Sequence, residues 1–502
     1  MKKLLTTLAA LLALGLLAFG VGSLRWHPSR RDAPPRLEKM ARGGGPLLAG
    51  AATVPLTPAP PVPVAGFPRL LWMEEGRRDP VAVRALVLQE HGCTVALVSA
   101  EILLVPGKLE QAVARAVLDL KLDHLVLAAT HTHAGPGGYW QFEIGERFAT
   151  GPYSEAAFEH LVQRASEAIR KAAGALEPAY LSVGRGRVTD LVRNRGGGVA
   201  DGRLVSARLV ALTGRPLAEV VLYPSHATLL GGANRLVSGD WPGALMRSRP
   251  EPVLLFQGAV GDQTPLMPPG QRANPEIYAQ ALRQRIEELQ YSAPDPWPEL
   301  AVATSTAVLP APIPGATPPL LRRLAANVFY DWLPDRALLT AVRLGPLTLI
   351  AVPGEPVAAV GERWRAAAGR GGEIVALAGD YLGYVETSER MAEAAGETVH
   401  TYYGPELADR LAGAIQLSAA AVNEGEAGEA ASAARARGLQ ERRDASQTRV
   451  SPFSNPALGG SGGSGARSPQ SEVERSSTGD HSDSPVPTFH KHGTQRKASQ
   501  TR

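Results

Sequence analysis

Short apolar runs bounded by glycine, proline and charged residues recur through the middle of the chain and predict β-strands. Segments with apolar residues three and four apart lie between them and predict helices. The first such unit is a strand over 94–104, a helix over 107–120 and a strand over 125–129, and the short crossover favours parallel strands. The pattern predicts an α/β fold with mixed sheets and helices on their faces. The other predicted elements are helices over 154–176, 274–290, about 356–365 and 405–422, hairpins over 204–223 and 338–352, and strands over 253–256 and 374–377.

Five of the predicted strands end in polar residues of ligand or catalytic type. Because ligands bind beyond the carboxyl ends of strands in open α/β sheets, we expect these side chains to gather on one edge of a mixed sheet. Two histidines, a carboxylate and a fourth oxygen ligand suit zinc or another borderline divalent metal. The sequence therefore predicts a metal site at strand C-terminal ends. The residues concerned are His131 and His133, His226, Asp262 and Thr264, Glu355, and Asp380 and Tyr384.

The strand end with the most polar residues carries His131 and His133, followed by the glycine-rich segment 135–138. Residues two apart in extended chain point to the same side, so both imidazoles should face one site. They could share a metal, or one could bind it while the other transfers protons. The glycine-rich segment predicts a tight, irregular turn. Two surface histidines near a loop are the alternative that this pattern leaves open.

The flanks differ in composition from the middle of the chain. Residues 4–24 carry no charge and follow two lysines, which predicts an export signal that is either removed or kept as a membrane anchor. Residues 25–47 are rich in Arg, Pro and Gly and predict a linker before a globular domain over 48–423. Residues 424–502 are polar and rich in Gly and Ser, which predicts disorder. We expect an exported protein, periplasmic or secreted, or anchored to the inner membrane by residues 4–24.

Charge and cysteine content exclude several classes of protein. The formal net charge is only +4 over 502 residues, and much of the basic excess lies in the flanks. This distribution does not predict a nucleic-acid partner. Cys93 is the only cysteine, which excludes a disulfide framework and a thiolate metal site. Since Cys93 lies in an apolar run, we expect it in the core.

The string Ala-Thr-His-Thr-His-Ala-Gly-Pro-Gly-Gly-Tyr over 129–139 resembles the signature of the neutral/alkaline, non-lysosomal ceramidase family. The resemblance covers roughly residues 48–423, and further segments match the family's motifs in the family's order. These are Asn194-Arg195, His226-Ala227-Thr228, the segment 234–240, Gly261 to Pro265, Pro353-Gly354-Glu355, and Tyr384-Val385-Glu386-Thr387.

The resemblance implies an exported, zinc-dependent amide hydrolase that cleaves an N-acyl amide, ceramide or another N-acyl lipid, by zinc-activated water. It implies that the zinc ion is held by His131, His226, Glu355 and Tyr384. His133 would lie beside the scissile amide as general acid and base, and Arg195 and Thr264 would bind the substrate or the tetrahedral intermediate. Gly137, Gly138 and Asp262 complete the expected set as substrate contacts.

Three departures from the family's pattern leave substrate and mechanism open. Thr264 stands where the family has a serine, Gly396 stands where it has a second tyrosine, and no segment resembles its C-terminal immunoglobulin-like domain. Threonine can replace serine if the hydroxyl only orients substrate or water, whereas the extra methyl group could obstruct a nucleophile. The alternatives are another metallohydrolase that uses His-x-His with a different substrate, and a metal-binding envelope protein with weak or no turnover.

Overall fold

The computed structural model describes residues 33–56, 62–68, 74–315, 317–318, 325–326, 329–330 and 333–424, together with Thr7 and Leu11. The chain divides into two units, residues 1–434 and 435–502, and every described residue lies in the first. Apart from Thr7, Leu11 and Glu424, the predicted export segment and the predicted tail lie outside the described residues. Within the described part of the chain, no helix has both the length and the apolar composition needed to cross a bilayer.

The larger sheet has eight strands and is mixed. The strand pairs at its two ends are parallel, and all the other neighbours are antiparallel. One parallel pair is the predicted β-α-β unit, which is confirmed. In spatial order the strands are β12 (Val253–Phe256), β10 (Pro216–Leu222), β9 (Arg203–Ala211), β7 (Glu177–Arg187), β2 (Leu48–Pro55), β4 (Ala82–Glu90), β5 (Cys93–Ala100) and β6 (His124–Ala129).

The smaller sheet has five strands, of which only the last two are parallel. Its first strand, Arg36–Arg42, lies in the segment predicted to be a linker, so that part of the prediction is wrong. The side chains of this edge strand are mostly exposed and it is held by backbone pairing, so it shows no apolar alternation. In spatial order the strands are β1 (Arg36–Arg42), β14 (Leu300–Val308), β15 (Arg336–Leu344), β16 (Leu347–Ala351) and β18 (Gly372–Val375).

In the part of the chain that the structure describes, three two-stranded ladders lie outside the large sheets, and two of them carry residues that the sequence assigned to the site. The ladders are β3 (Gly76–Arg77) with β11 (Leu236–Val237), β8 (Val192–Asn194) with β13 (Gln263–Pro265), and β17 (Glu355–Pro356) with β19 (Tyr384–Val385).

The five predicted helices are present within a few residues of their expected bounds, whereas three short helices over 143–145, 240–246 and 388–392 were not predicted. Ser154 and Asn274 cap two of the predicted helices by accepting hydrogen bonds from the backbone N–H groups of Ala157 and Ile277. Short 3₁₀ turns occupy 118–120 and 398–400, and a π turn occupies 146–150. The α-helices that the structure describes without gaps are α1 (Gly107–Ala116), α2 (Glu143–Gly145), α3 (Glu155–Ala173), α4 (Asp240–Met246), α5 (Pro275–Glu287), α6 (Ala358–Ala368), α7 (Ser388–Ala392) and α8 (407–424).

The two large sheets pack face to face, and helices cover their outer faces. Along β4, Val83 and Val87 belong to the core under the helices, whereas Leu86 and Leu88 belong to the core between the sheets. Helix α3 packs on β2 and β4, and α6 packs against β18. Cys93 is buried, as predicted. The expected α/β class with mixed sheets and helices on their faces is confirmed.

The strand ends that carry the candidate residues belong to both sheets, so the prediction of one common edge is wrong. β6, β10 and β12 lie in the larger sheet, and β16 and β18 lie in the smaller one. The sheets also join beside the site, where the N–H of Ala129 donates to Leu377 O at 3.1 Å and that of Gly379 donates to Leu127 O at 3.0 Å. Stacking and this junction bring strand ends of two sheets together.

Candidate active site

His131 and His226 are held in the same way, each by a hydrogen bond from its ring to a backbone carbonyl. His131 Nδ1 lies 2.8 Å from Leu103 O, and His226 Nδ1 lies 2.8 Å from Gln263 O. Because a carbonyl oxygen only accepts, Nδ1 carries the hydrogen and Nε2 of the neutral ring keeps its lone pair. This is the arrangement in which histidine binds a metal through Nε2.

Both Nε2 atoms face one oxygen of Glu355, which is 1% exposed. Glu355 Oε2 lies 3.1 Å from His131 Nε2 and 3.2 Å from His226 Nε2. The other oxygen, Oε1, accepts a hydrogen bond from the Tyr381 hydroxyl at 2.7 Å, but no hydrogen bond from the described residues reaches Oε2.

These contacts fit a bound cation. Lone pairs of two imidazole nitrogens and one carboxylate oxygen would repel one another at about 3 Å, whereas a divalent ion would satisfy all three. The imidazole nitrogens of His131, His133 and His226 that could bind a metal also lie within 4.8 Å of one another. This buried cluster could therefore hold a metal ion.

Tyr384 and His133 border the cluster. The Tyr384 hydroxyl lies 3.0 Å from His226 Nε2, and β19 places Tyr384 directly opposite Glu355. His133 Nε2 lies 3.3 Å from His131 Nε2, and burial and the neighbouring imidazoles hold the pKa of His133 well below its usual value. His131 has φ +64°, so the prediction of extended chain here is wrong. The imidazoles meet because the chain turns at this residue.

Arg195 reaches the cluster through Tyr384. Its Nη2 donates to the Tyr384 hydroxyl at 3.1 Å and to Gly261 O at 2.9 Å. Its Nε and Nη2 also donate to the two oxygens of Glu397, at 2.7 and 3.0 Å. The sequence analysis missed Glu397, and nothing in the local pattern around it indicates this ion pair.

Asp262 and Thr264 lie on the His226 side of the cluster. The Asp262 carboxylate accepts hydrogen bonds from Asn194 Nδ2, from Gln263 Nε2 at 2.6 Å and from the N–H of Ala358 at 2.9 Å. These hydrogen bonds hold β8 and the start of α6 in place. They leave the carboxylate oxygens little capacity to accept a further hydrogen bond from a substrate. Thr264 is half-buried in β13, next to the Gln263 carbonyl that holds His226.

The glycines expected to contact substrate shape the loop after His133. Gly137 N–H donates to Pro63 O and Gly138 N–H donates to Thr150 O, both at 2.7 Å. Neither N–H is left to bind a substrate. Asp380, a polar strand end, accepts from the N–H groups of Gly107 and Tyr381, both at 2.8 Å, and so holds the start of α1.

Two aromatic residues near the cluster were missed. Tyr381 stands between Asp380 and Tyr384, and its position in that polar strand end was the available signal. The Phe67 ring lies 4.9 Å from the His133 ring, with no sequence motif to indicate it. These rings add apolar walls beside the polar cluster.

Comparison with known proteins confirms the family resemblance that the motifs indicated. Residues 56–247 match the family described as neutral/alkaline non-lysosomal ceramidase, N-terminal. The neutral ceramidase of Pseudomonas aeruginosa is 29% identical over 131 residues, which are 24% of this chain and 19% of that protein. The neutral ceramidase of Mycobacterium tuberculosis is 27% identical over 171 residues, 30% of this chain and 27% of that one. The matched segments thus span less than a third of these curated relatives.

The fold is shared over a longer stretch. The crystal structure of the Pseudomonas aeruginosa neutral ceramidase superposes with a TM-score of 0.65 at 20% identity, over 76% of this chain and 75% of that one. A structure titled as ceramidase complexed with C2 gives a TM-score of 0.64 over the same shares of the two chains. The similarity at this identity establishes the common fold.

Proposed function

We propose that the chain is a metal-dependent amide hydrolase of the neutral ceramidase type, which cleaves ceramide or another N-acyl lipid amide. The observation that carries the proposal is the buried Glu355 Oε2 without a hydrogen bond from the described residues, opposite two imidazole nitrogens whose lone pairs point at it. Relatives named neutral ceramidases supply the reaction class.

We infer that His131, His226, Glu355 and Tyr384 hold the metal ion and that the ion is zinc. Two nitrogen and two oxygen donors suit zinc, and both histidines have the tautomer it needs. When bound, zinc would polarise a substrate carbonyl and lower the pKa of a water molecule. Burial of the cluster would strengthen each of these interactions, because few other dipoles screen them.

The remaining residues would act on the substrate. His133 is proposed as the general acid and base, because its ring lies beside the ligand cluster and its Nδ1 has no hydrogen-bond partner among the described residues. Arg195 is proposed to bind the substrate oxygen through the part of its guanidinium that remains accessible. Gly137, Gly138 and Asp262 are proposed to support the site through the loop and helix contacts that they make.

Thr264 is proposed to orient substrate rather than attack it. A metal-activated water can supply the nucleophile, and a secondary hydroxyl is a poorer attacking group than a serine. We expect Thr264→Ala to retain a measurable rate with a loss of roughly 10- to 1000-fold. Steady-state amide hydrolysis by Thr264→Ala and Thr264→Ser, with mass spectrometry of the quenched enzyme, checks this. An acyl adduct on Thr264, or a dead alanine variant beside a fully active serine variant, would contradict it.

The function itself is tested on purified protein with a panel of N-acyl amides that includes ceramide, together with elemental analysis. Wild type should bind one zinc ion per chain and hydrolyse at least one of these amides. His131→Ala should lose most of the bound zinc and most of the amide hydrolysis, since it removes one of four ligands. His91→Ala, an exposed histidine in the β4–β5 turn, is the matched control and should keep both. Full zinc occupancy in His131→Ala would exclude this metal site, and zinc binding without hydrolysis of any amide would leave a metal-binding protein.

The uncharged segment 4–24 supports the further proposal that the chain is exported. Fractionation of cells that express the full chain, with the mass of the mature N-terminus, tests this. Full-length protein confined to the cytoplasm would contradict export, and full-length protein in the membrane fraction would indicate an uncleaved anchor.

A further inference from the structure

Arg195 is held by the carboxylate of Glu397. Its Nε and Nη2 lie 2.7 and 3.0 Å from the two oxygens of Glu397, a paired geometry that sets the plane of the guanidinium as well as its position. Glu397 is 5% exposed. Burial would raise its pKa, but His400 and Arg195 lower it to about 2, so the carboxylate stays charged under working conditions.

Glu397 is itself tied to the strand that carries Tyr384. Its N–H donates to Glu386 Oε2 at 2.9 Å, and Glu386 directly follows β19. The residue before it, Gly396, has φ +62°, and a Cβ there would lie 2.2 Å from Glu386 Oε2. Glycine therefore permits the turn that brings Glu397 against Arg195.

These hydrogen bonds form a closed network around the phenol of Tyr384. Arg195 Nη2 donates to the Tyr384 hydroxyl at 3.1 Å, Glu397 orients Arg195, and Glu386 fixes Glu397 to the chain beside Tyr384. Because Glu397 compensates its charge, Arg195 acts here as an oriented donor more than as a free cation. Its Nη1 makes no hydrogen bond to the residues that the structure describes, and 31% of its side chain is exposed.

We propose that Glu397 is a positioning residue, which holds Arg195 so that Nη2 donates to the Tyr384 oxygen and Nη1 stays available to the substrate. The inference rests on the proposed function, since it assigns Tyr384 and Arg195 to that site. It differs from a purely structural role, in which the ion pair would stabilise the fold and leave the chemistry unchanged. If Glu397 is a positioning residue, replacement of Glu397 and replacement of Arg195 should both lower turnover.

The decisive experiment is a double-mutant cycle on amide hydrolysis with Glu397→Gln and Arg195→Lys. We expect Glu397→Gln to lower kcat roughly 10- to 100-fold with KM within about twofold, because a misplaced donor costs mainly transition-state stabilisation. The double variant should be no slower than Arg195→Lys alone, since Glu397 acts through Arg195. Losses that multiply, or an unchanged kcat in Glu397→Gln, would overturn the proposal. Glu389→Gln, which breaks the exposed Glu389–Arg363 pair on α7, is the matched control and should change nothing.

Two further measurements separate this inference from the proposed function. Zinc removal by a chelator should be several-fold faster from Glu397→Gln than from wild type, because Tyr384 loses its oriented donor. A crystal structure of metal-free Glu397→Gln should show Arg195 withdrawn from Tyr384, whether or not the protein hydrolyses amides. Arg195 in its original place would overturn the inference, whereas absence of zinc and turnover in wild type would overturn the proposed function.

Discussion

Glu101 and Glu355 are both completely or almost completely buried, yet their carboxylates face different partners. Glu101 Oε1 lies 2.5 Å from Arg84 Nη1, and Arg247 Nη1 lies 3.8 Å from the other oxygen. Glu355 faces two imidazole nitrogens and a tyrosine hydroxyl. A guanidinium is a permanent cation, whereas an imidazole is charged only when both ring nitrogens carry a hydrogen. Glu101 is therefore compensated by permanent charge within the chain, whereas Glu355 has no ion pair with Arg or Lys among the described residues.

Glu110 provides a third case, a half-buried residue whose carboxyl has no cation beside it among the described residues. It forms part of the wall of a small cavity of about 230 Å³, and its Oε2 accepts a hydrogen bond from the N–H of Leu127 at 3.0 Å. Loss of hydration raises its pKa to about 8. The three glutamates, two of them buried and one half-buried, differ in the groups that surround the carboxyl, and these groups influence its charge as much as burial does.

The largest expected effect on stability is that of Glu101→Gln. This change leaves Arg84 buried without its counter-ion, which typically costs about 3–5 kcal/mol of the free energy of unfolding. Urea denaturation monitored by circular dichroism measures it, and the surface variant Glu389→Gln is the control. A loss below about 1 kcal/mol would show that Glu101 does not need its charge.

Glu355→Gln, unlike Glu101→Gln, should not destabilise the metal-free protein. In metal-free protein it removes a carboxylate that has no permanent counter-ion, so the thermal midpoint should stay the same or rise. Zinc in large excess should stabilise wild type by about 4 kcal/mol at 1,000 times its Kd, and should not stabilise Glu355→Gln. Scanning calorimetry with zinc or a chelator measures both. An equal zinc-induced shift in the two proteins would place the metal elsewhere.

The effect of Glu110→Gln should depend on pH. A pKa raised in the folded state stabilises the protein below the unfolded value of 4.5, and this contribution is lost as pH rises through about 8. Glutamine resembles the protonated carboxyl, so wild type and variant should have similar thermal midpoints at pH 5. The variant should become the more stable of the two by pH 9. Parallel pH profiles would contradict the prediction.

Local pattern was sufficient for the elements whose signals are local. The helix caps Ser154 and Asn274, the β-α-β unit and the strand over 253–256 follow from apolar periodicity and turn residues. Strands β1, β4, β7 and β14 were missed as strands. Pairing with strands distant in sequence holds β1, β7 and β14, and a single-chain pattern does not contain that information. β4 forms a hairpin with β5 through the turn at His91 and Gly92, and this local signal was overlooked.

The sequence by itself determined the fold class and which residues have the chemistry of a metal site, because strand ends, glycine-rich turns and ligand types are local properties. Only the tertiary structure decided which of them meet. It joined His131, His226 and Glu355 from two stacked sheets, and it gave Asp262, Gly137 and Gly138 to structural hydrogen bonds. It also paired Arg195 with Glu397, 202 residues away. Such contacts depend on long-range packing of the strands, and no spacing along the chain encodes them.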